Sequence, residues 1–515
     1  MVGLFDYDND NDNDNDNSVP AISVTTSVLI APSSGPDAPG GPKLVSSGLC
    51  RHPSVRAVSP AKPAVIPLTP DERRASLGLA GIYGLRMLGL FLILPVFVLH
   101  ADGYTGATPL LIGLAIGAYG LTQAILQIPF GMLSDRIGRK PVIYGGLAVF
   151  VLGSVMAALA TSIEGVILGR VIQGAGAVSA AVTALAADLT RDEVRTRAMA
   201  GVGASIGIAF GLAFIIAPVI ARFWGLAGIF WVTALLAFAG ILVLWLVVPN
   251  PKHRSVHRDA EPVASQLMVV LRDGQLLRLN FGIFSLHLMM TGMFLVIPPS
   301  LVKAGVINAD HWEVYLPVLL LGLLAMVPFV IIAEGRGRIK QVFMGGIATV
   351  GLAALGFSVW ATELIPLMIL LAVFFTGVNL LEALLPSMIS KIARAGAKGT
   401  AMGVYSTSQF IGAFLGGMTG GLVNQYLGAP AVFVFAALCA LAWLLVAATM
   451  AAPQRVTNQM VPVGPIGVDG ILDLERRLLA VPGVRDAVVV LEEGVAYLKV
   501  DNRELDSARL QAVVG

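Results

Sequence analysis

Charge is scarce in this chain of 515 residues. Only 13% of the residues are Asp, Glu, Lys or Arg, roughly half the share in an ordinary soluble domain. The deficit falls on residues 76–450, where long apolar runs follow one another. That pattern excludes a globular soluble body for most of the chain and indicates a polytopic membrane protein. Cysteine is scarcer still, with Cys50 and Cys439 the only two. One lies in a low-complexity tail and the other within an apolar run, so no disulfide framework and no Cys/His metal spacing arises. A glycine-rich loop that would cradle a phosphate is missing, which removes support for ATP-driven work. No nucleophile–base set stands out, which argues against an enzyme. No nucleic-acid partner is expected, although the net charge of +2 is a small sum that says nothing about partners; its distribution is more informative.

The first 70 residues contain "DYDNDNDNDNDN" and then a Ser/Pro/Gly-rich stretch. Nothing there can bury a core, so residues 1–70 read as a disordered tail. The tail lacks the basic start and apolar core of a signal peptide. At about 20 apolar residues per crossing, twelve spans are expected near 76–99, 109–133, 141–160, 163–188, 198–221, 226–248, 279–302, 314–333, 342–360, 365–389, 400–424 and 429–450. They form an N-terminal half over 76–248 and a C-terminal half over 279–450, joined by a basic linker over 249–278. Twenty Lys and Arg residues fall in one alternating set of connections and only Arg222 and Lys303 in the other. By the positive-inside tendency the basic set, with both termini, is expected on the cytoplasmic side.

A shift of 199 residues brings "PFGMLSDRIGRKPVIYGG" (129–146) onto "PFVIIAEGRGRIKQVFMG" (328–345). Pro129, Phe130, Gly138, Arg139 and Gly146 meet Pro328, Phe329, Gly337, Arg338 and Gly345, and Asp135 meets Glu334. The same acid–turn–base pattern thus recurs between spans 2 and 3 and between spans 8 and 9. Two six-helix halves related in this way form a transporter architecture with its site between them near the midplane.

The loop "GMLSDRIGRK" resembles motif A of the major facilitator superfamily through Gly131, Leu133, Asp135, Arg136, Gly138, Arg139 and Lys140. "GRVIQGAGAV" (169–178) resembles its motif B through Arg170, Gln173 and Gly174. The resemblance covers about 375 residues and all twelve spans, and it implies two helical halves that rock about a central cavity. It also implies a latch on the cytoplasmic side, with Asp135 docking on the start of span 11 and Arg139 pairing with Asp188. The physics agrees: a helix start presents unsatisfied N–H groups and partial positive charge to an anion. One departure is in span 5, "GIAFGLAFIIAPVIARF", where Pro218 follows Ala217 and the trailing glycines of antiporters are missing.

Polar residues inside a bilayer are functional candidates, because a mid-membrane charge costs at least ~2.5–3.5 kcal/mol. Arg86 lies in span 1, Arg170 and Gln173 in span 4, His287 in span 7 and Glu382 in span 10. Gln123, Gln127, Asn379 and Gln409 add neutral polar groups. A carboxyl kept from water can carry a proton at physiological pH, so Glu382 is the leading coupling candidate, with Arg86 as its electrostatic partner. A structural pairing with an Arg or a helix end is the alternative for Glu382, and a fixed inter-helix bond for Arg86. Arg170, Gln173 and His287 are expected near the cavity, with structural roles as alternatives. Gln123, Gln127, Asn379 and Gln409 are candidates for the substrate.

Residues 457–515 change character, with strands expected near 458–464, 485–491 and 494–501 and helices at 469–480 and 503–513. The βαββα order points to a small ferredoxin-like domain. Its pattern resembles heavy-metal-associated domains, but no cysteine follows Cys439, so thiolate capture of a metal is excluded. A regulatory or self-associating role remains. With the span 1 string "LRMLGLFLILP", this tail resembles the YajR-type branch of the superfamily. The expectation is an all-α polytopic transporter with a ferredoxin-like C-terminal domain, in a bacterial inner membrane. It would work without a cofactor, export a small, partly apolar solute and draw on the proton gradient. Uptake by symport and a transport-dead sensor are the alternatives.

Overall fold

The computed structural model describes residues 67–250, 264–453, 456–464, 470–491 and 494–514. The tail expected over 1–70 lies outside them up to residue 66. Spans 2, 3 and 8 to 12 are single helices: Pro109–Ile137, Arg139–Leu159, His311–Gly335, Ile339–Trp360, Leu364–Ile392, Lys398–Leu427 and Ala429–Ala448. Three spans are broken. Span 1 runs through Pro70–Phe91 and Phe97–His100, span 4 through Ile163–Ala175 and Ser179–Asp188, and span 7 through Gly274–Met293 and Ile297–Lys303. The breaks in spans 1 and 7 fall at repeat-related places, residues 92–96 and 294–296.

Spans 5 and 6 follow one another directly over Asp192–Leu246, divided at Gly225 with φ +60° and ψ −162°. A straight helix of that length would reach roughly 80 Å. Instead both of its ends return to span 1: a Cβ on Gly84 would meet Ser205, and a Cβ on Gly78 would meet Val248. The chain therefore folds back at Gly225, where a side chain would be strained. Among the described residues nine helical stretches are long and apolar enough to cross a membrane, one of them holding spans 5 and 6. Spans 1 and 11 fall short because charged residues open the first and glycines and hydroxyls dilute the second. The expected twelve crossings are all present as helices.

The halves meet at the face away from the motif A loop. A Cβ on Gly113 would lie 2.1 Å from the Gly417 carbonyl oxygen, and one on Gly421 2.6 Å from that of Pro109. Spans 2 and 11 are therefore in backbone contact there. Phe214 of span 5 packs against Phe294, Tyr315 and Phe375 of the other half, with ring centroids 5.3, 4.9 and 6.3 Å away.

The linker expected over 249–278 is not all connection: it contains the helix Ala264–Arg272, and span 7 already starts at Gly274. Beyond span 12, β1 (Thr457–Pro462), β2 (Val484–Val490) and β3 (Val495–Val500) form an antiparallel sheet in the order β1-β3-β2. The helices Ile471–Leu479 and Ser507–Val514 cover one face. Leu474, Leu478, Ala487, Val489, Ala496, Leu498 and Leu510 make the core on that side. The period of two along β3 sends Ala496, Leu498 and Val500 to that core and Val495, Tyr497 and Lys499 to the opposite face.

Candidate functional site

The motif A loop is held by short-range chemistry. Gly138 takes φ +108°, and its repeat mate Gly337 takes φ +66°. Both positions turn the chain sharply between two long helices, which the lack of a Cβ permits. Gly131 sits against span 4, where an added Cβ would come 3.1 Å from that of Ala180. Arg139 is 3% exposed. It donates to Asp188 at 3.2 Å and to Ser134 at 2.9 Å, and it pairs with Asp135. The expected Arg139–Asp188 pair is therefore in place. The expected contact of Asp135 with the start of span 11 is not the one made here: Asp135 is bonded to Arg139 within its own half. The halves touch at the far face in this arrangement, and the latch partners lie at the other. Lys140 does different work, donating to the Val248 carbonyl at 2.6 Å. It neutralises the last carbonyls of span 6, where the helix dipole favours a cation. Arg136 is exposed.

The second half repeats this design with changed signs. Glu334 pairs with Lys391 at the end of span 10 and accepts from Ser387 at 2.8 Å. Ser387 is the residue that the 199-residue shift places on Asp188. Lys340 donates to Met450 at 2.5 Å and to Ala448 at 2.9 Å, capping span 12 as Lys140 caps span 6.

Inside the first half lies a packed polar network. Arg86, 1% exposed, donates to Tyr119 at 2.5 Å, Gln123 at 2.7 Å, Ser179 at 3.2 Å and the Gly176 carbonyl at 3.4 Å. Gln123 in turn donates to Gln127 at 3.2 Å. Arg170 donates to the carbonyls of Ala115 and Ile116, each at 3.2 Å, and to Gln173 at 2.8 Å, while Gln173 donates to Ser154 at 2.7 Å. The Tyr119 ring lies between the two guanidiniums, 5.8 Å from Arg86 and 5.3 Å from Arg170. In this arrangement Arg86, Arg170 and Gln173, expected near the cavity, and Gln123 and Gln127, expected to meet the substrate, are packed together inside the first half. Most of their polar atoms are spent on one another, on Tyr119, Ser154 and Ser179 and on backbone, with Arg86 Nε left without a partner among the described residues, and all five are buried. Arg86 finds its partners in spans 2 to 4, and Glu382 of span 10 is not among them. Sequence reasoning missed Tyr119, Ser154 and Ser179, whose hydroxyls are ordinary in a helix until three spans converge on them.

The second half brings together three of the candidates. His287 of span 7 lies with Nε2 3.5 Å from Glu382 Oε1 of span 10, and Gln409 Nε2 of span 11 is 2.8 Å from the same ring nitrogen. With the amide donating, Nε2 accepts and the ring hydrogen sits on Nδ1. One nitrogen thus stands between an amide and a carboxyl. The Glu382 side chain is 35% exposed although it sits mid-helix among fully buried leucines. It therefore faces a gap between spans 7, 10 and 11 and not a packed surface. Asn379, one turn earlier, is half-buried. Tyr405, one turn before Gln409, is buried with a hydroxyl that no described group satisfies.

A helical membrane body of two repeated halves, with a polar cluster among the spans of each, has the architecture of a transporter. The family model described as Major Facilitator Superfamily matches residues 79–334, and the YajR YAM domain model matches residues 469–514. The chain is 45% identical over 447 residues to the inner membrane transport protein YajR of Escherichia coli (strain K12), which covers 87% of this chain and 98% of that protein. It is 28% identical to the multidrug resistance protein MdtH of Aeromonas salmonicida (strain A449), over 67% of this chain and 86% of that one. A solved structure of a bacterial homolog of the human lysosomal transporter Spinster, inward-facing and occupied, superposes with a TM-score of 0.62. It covers 75% of this chain and 98% of that one at 15% identity, a likeness of fold. The chain belongs to the major facilitator superfamily, and its C-terminal domain is of the kind found in YajR.

Proposed function

We propose that this protein is a proton-coupled exporter of a small, partly apolar solute, working by alternating access in a bacterial inner membrane. The observation that carries the coupling is the Glu382–His287–Gln409 cluster. It is a carboxyl within a span, only partly packed and next to an imidazole whose Nε2 has two competing partners. A proton on Nε2 turns that nitrogen into a donor, which favours Glu382 over the Gln409 amide hydrogens. A proton on Glu382 removes its charge and lets its hydroxyl donate instead. Either step changes which spans are bonded, so proton binding and helix position are linked. Motif A supplies the second element. In the opposite arrangement, closed at the loop face, Asp135 would dock on the amides at the start of span 11, where the N-cap Ala397 offers no capping side chain. The inner-membrane relative and the multidrug resistance relative support the location and the direction of export.

The test is proton flux in everted vesicles energised to hold acid inside, with drugs, dyes, sugars and organic acids added in turn. A compound that releases protons with the wild type and not with Glu382→Gln supports the reading. The reading is lost if Glu382→Gln responds as the wild type does. It is also lost if no compound acts on a folded, abundant protein, and uptake by symport then takes its place.

A further inference from the structure

The face of the C-terminal sheet that carries no helices is not free. Its residues are arranged in cross-strand rows, and one row is polar: Asn458 of β1, Lys499 of β3 and Asp486 of β2 are register partners. All three engage the chain between spans 10 and 11. Asn458 Nδ2 donates to the Ser390 carbonyl at 3.2 Å, and Lys499 Nζ to the Lys391 carbonyl at 2.5 Å. Asp486 accepts from the Ala395 amide at 2.9 Å. The next row, Met460, Tyr497 and Val488, is apolar. It packs with Ala395, and a Cβ on Gly396, whose φ is +72°, would touch Tyr497 and Val488.

This arrangement has a specific meaning for a helix. The last four carbonyls of any helix lack partners within it. Those of Ser390 and Lys391 belong to the end of span 10, and the C-terminal domain supplies their donors. Lys499 is only 6% exposed. A buried ammonium is costly unless it is bonded, so this contact is not a loose brush between two surfaces. The grip also reaches the latch elements. The Lys391 side chain holds Glu334, the repeat mate of Asp135, and Lys398 opens span 11, to which Asp135 would dock. Glu382 lies eight residues before Ser390 in the same helix, about 12 Å along its axis.

We propose that the C-terminal domain is a built-in clamp on the corner between spans 10 and 11, holding the transporter in the arrangement that is closed at the far face. While the sheet sits on residues 390–396, it occupies the corner beside the start of span 11 that Asp135 must approach for the loop face to close. Release of the sheet frees that corner and lets the loop face close. The proposal rests on the alternating-access reading.

The test uses the full chain in liposomes, with Cys50 and Cys439 replaced by alanine. Spin labels at Ile137, which is 54% exposed, and at exposed Arg338 report the distance between the two halves at the loop face. A third, separate label at Leu472, 73% exposed on the first helix of the domain, reports whether the domain is held. The pair Lys499→Glu and Asp486→Lys should mobilise the Leu472 label and raise the short-distance population several-fold. Arg485→Ala, on the same strand but bonded within the domain to Glu504, should leave both readouts as in the wild type. Gly417→Leu is the reference, a wedge at the far face that forces the loop face to close. A Leu472 label that stays immobile after the charge reversals overturns the clamp. So does a mobile domain with unchanged distances while the wedge still shortens them. If neither the wedge nor the reversals move the distance, alternating access itself fails along with the clamp.

Discussion

Replacing Gly417 by alanine should tilt the balance between the two arrangements without unfolding the protein. In this structure the new Cβ would sit 2.3 Å from the Gly113 carbonyl oxygen and 3.1 Å from the Gly117 amide nitrogen. Real Cβ atoms do not approach closer than about 3 Å, so spans 2 and 11 must part by somewhat less than 1 Å. Overpacking of this kind costs ~1–3 kcal/mol. The strain exists only while spans 2 and 11 touch, so it falls on the far-face-closed arrangement alone. A differential of that size changes a two-state ratio by roughly 5–150-fold. The assay is the spin-label distance between Ile137 and Arg338, whose short component should grow by that factor. Gly412→Ala is the comparison. Its Cβ would meet the Phe284 carbonyl oxygen at 2.2 Å, but both residues belong to the second half and touch in either arrangement. That variant should lower the melting temperature and leave the distances alone. If Gly417→Ala also only lowers the melting temperature, the contact between spans 2 and 11 is packing and not a gate.

Two further outcomes follow from charges outside the apolar runs. Glu72, in the first turn of the span 1 helix and four residues before its apolar run, accepts from Arg191 at 2.8 and 3.0 Å and from Thr69 at 2.8 Å. The Arg191 guanidinium holds its carboxyl down at about 2. The folded form therefore binds fewer protons than the unfolded one between that value and the ordinary 4.5. Its stabilisation is complete above the upper value and is lost as pH falls through the lower. Glu72→Gln should cost about 2 kcal/mol at neutral pH, and thermal melts of the variant should lose part of their acid sensitivity; equal pH profiles would contradict this. Burial pulls the Lys499 ammonium down to about 8, with Asp486 and Asp273 opposing the shift and Lys398 adding to it. The docked domain then binds fewer protons than the free one between pH 8 and the ordinary lysine value. The Leu472 label should become less mobile as pH rises from about 8 to about 10, and a flat or opposite trend would count against a buried Lys499.

How much of this was legible in the sequence depended on how local the cause was. Twelve apolar runs, a 199-residue repeat and a glycine-turned charged loop are local patterns, and each carried directly into helices, paired halves and the Gly138 and Gly337 turns. The Arg139–Asp188 pair, first implied by family resemblance, needed only the ends of spans 3 and 4 to come together. The period of two in "VAYLKV" already announced a strand with two different faces. What the sequence could not carry was direction across space. Arg86 and Glu382 both read as charges in apolar runs, but a helix has several faces and only packing decides which one meets water. Tyr119, Gln123 and Ser179 converge on Arg86 from spans 2 and 4 and close it in. His287 and Gln409 converge on Glu382 from spans 7 and 11 and leave it open. The docking of Asn458, Lys499 and Asp486 onto the end of span 10 was equally invisible, because its partners are backbone groups, which every residue has. The sequence by itself determined a membrane transporter with two related halves, since hydropathy and repetition are properties of the chain. The tertiary structure decided which buried charges are sealed, which one is left partly unpacked, and what the C-terminal domain holds, since those depend on contacts between residues tens to hundreds of positions apart.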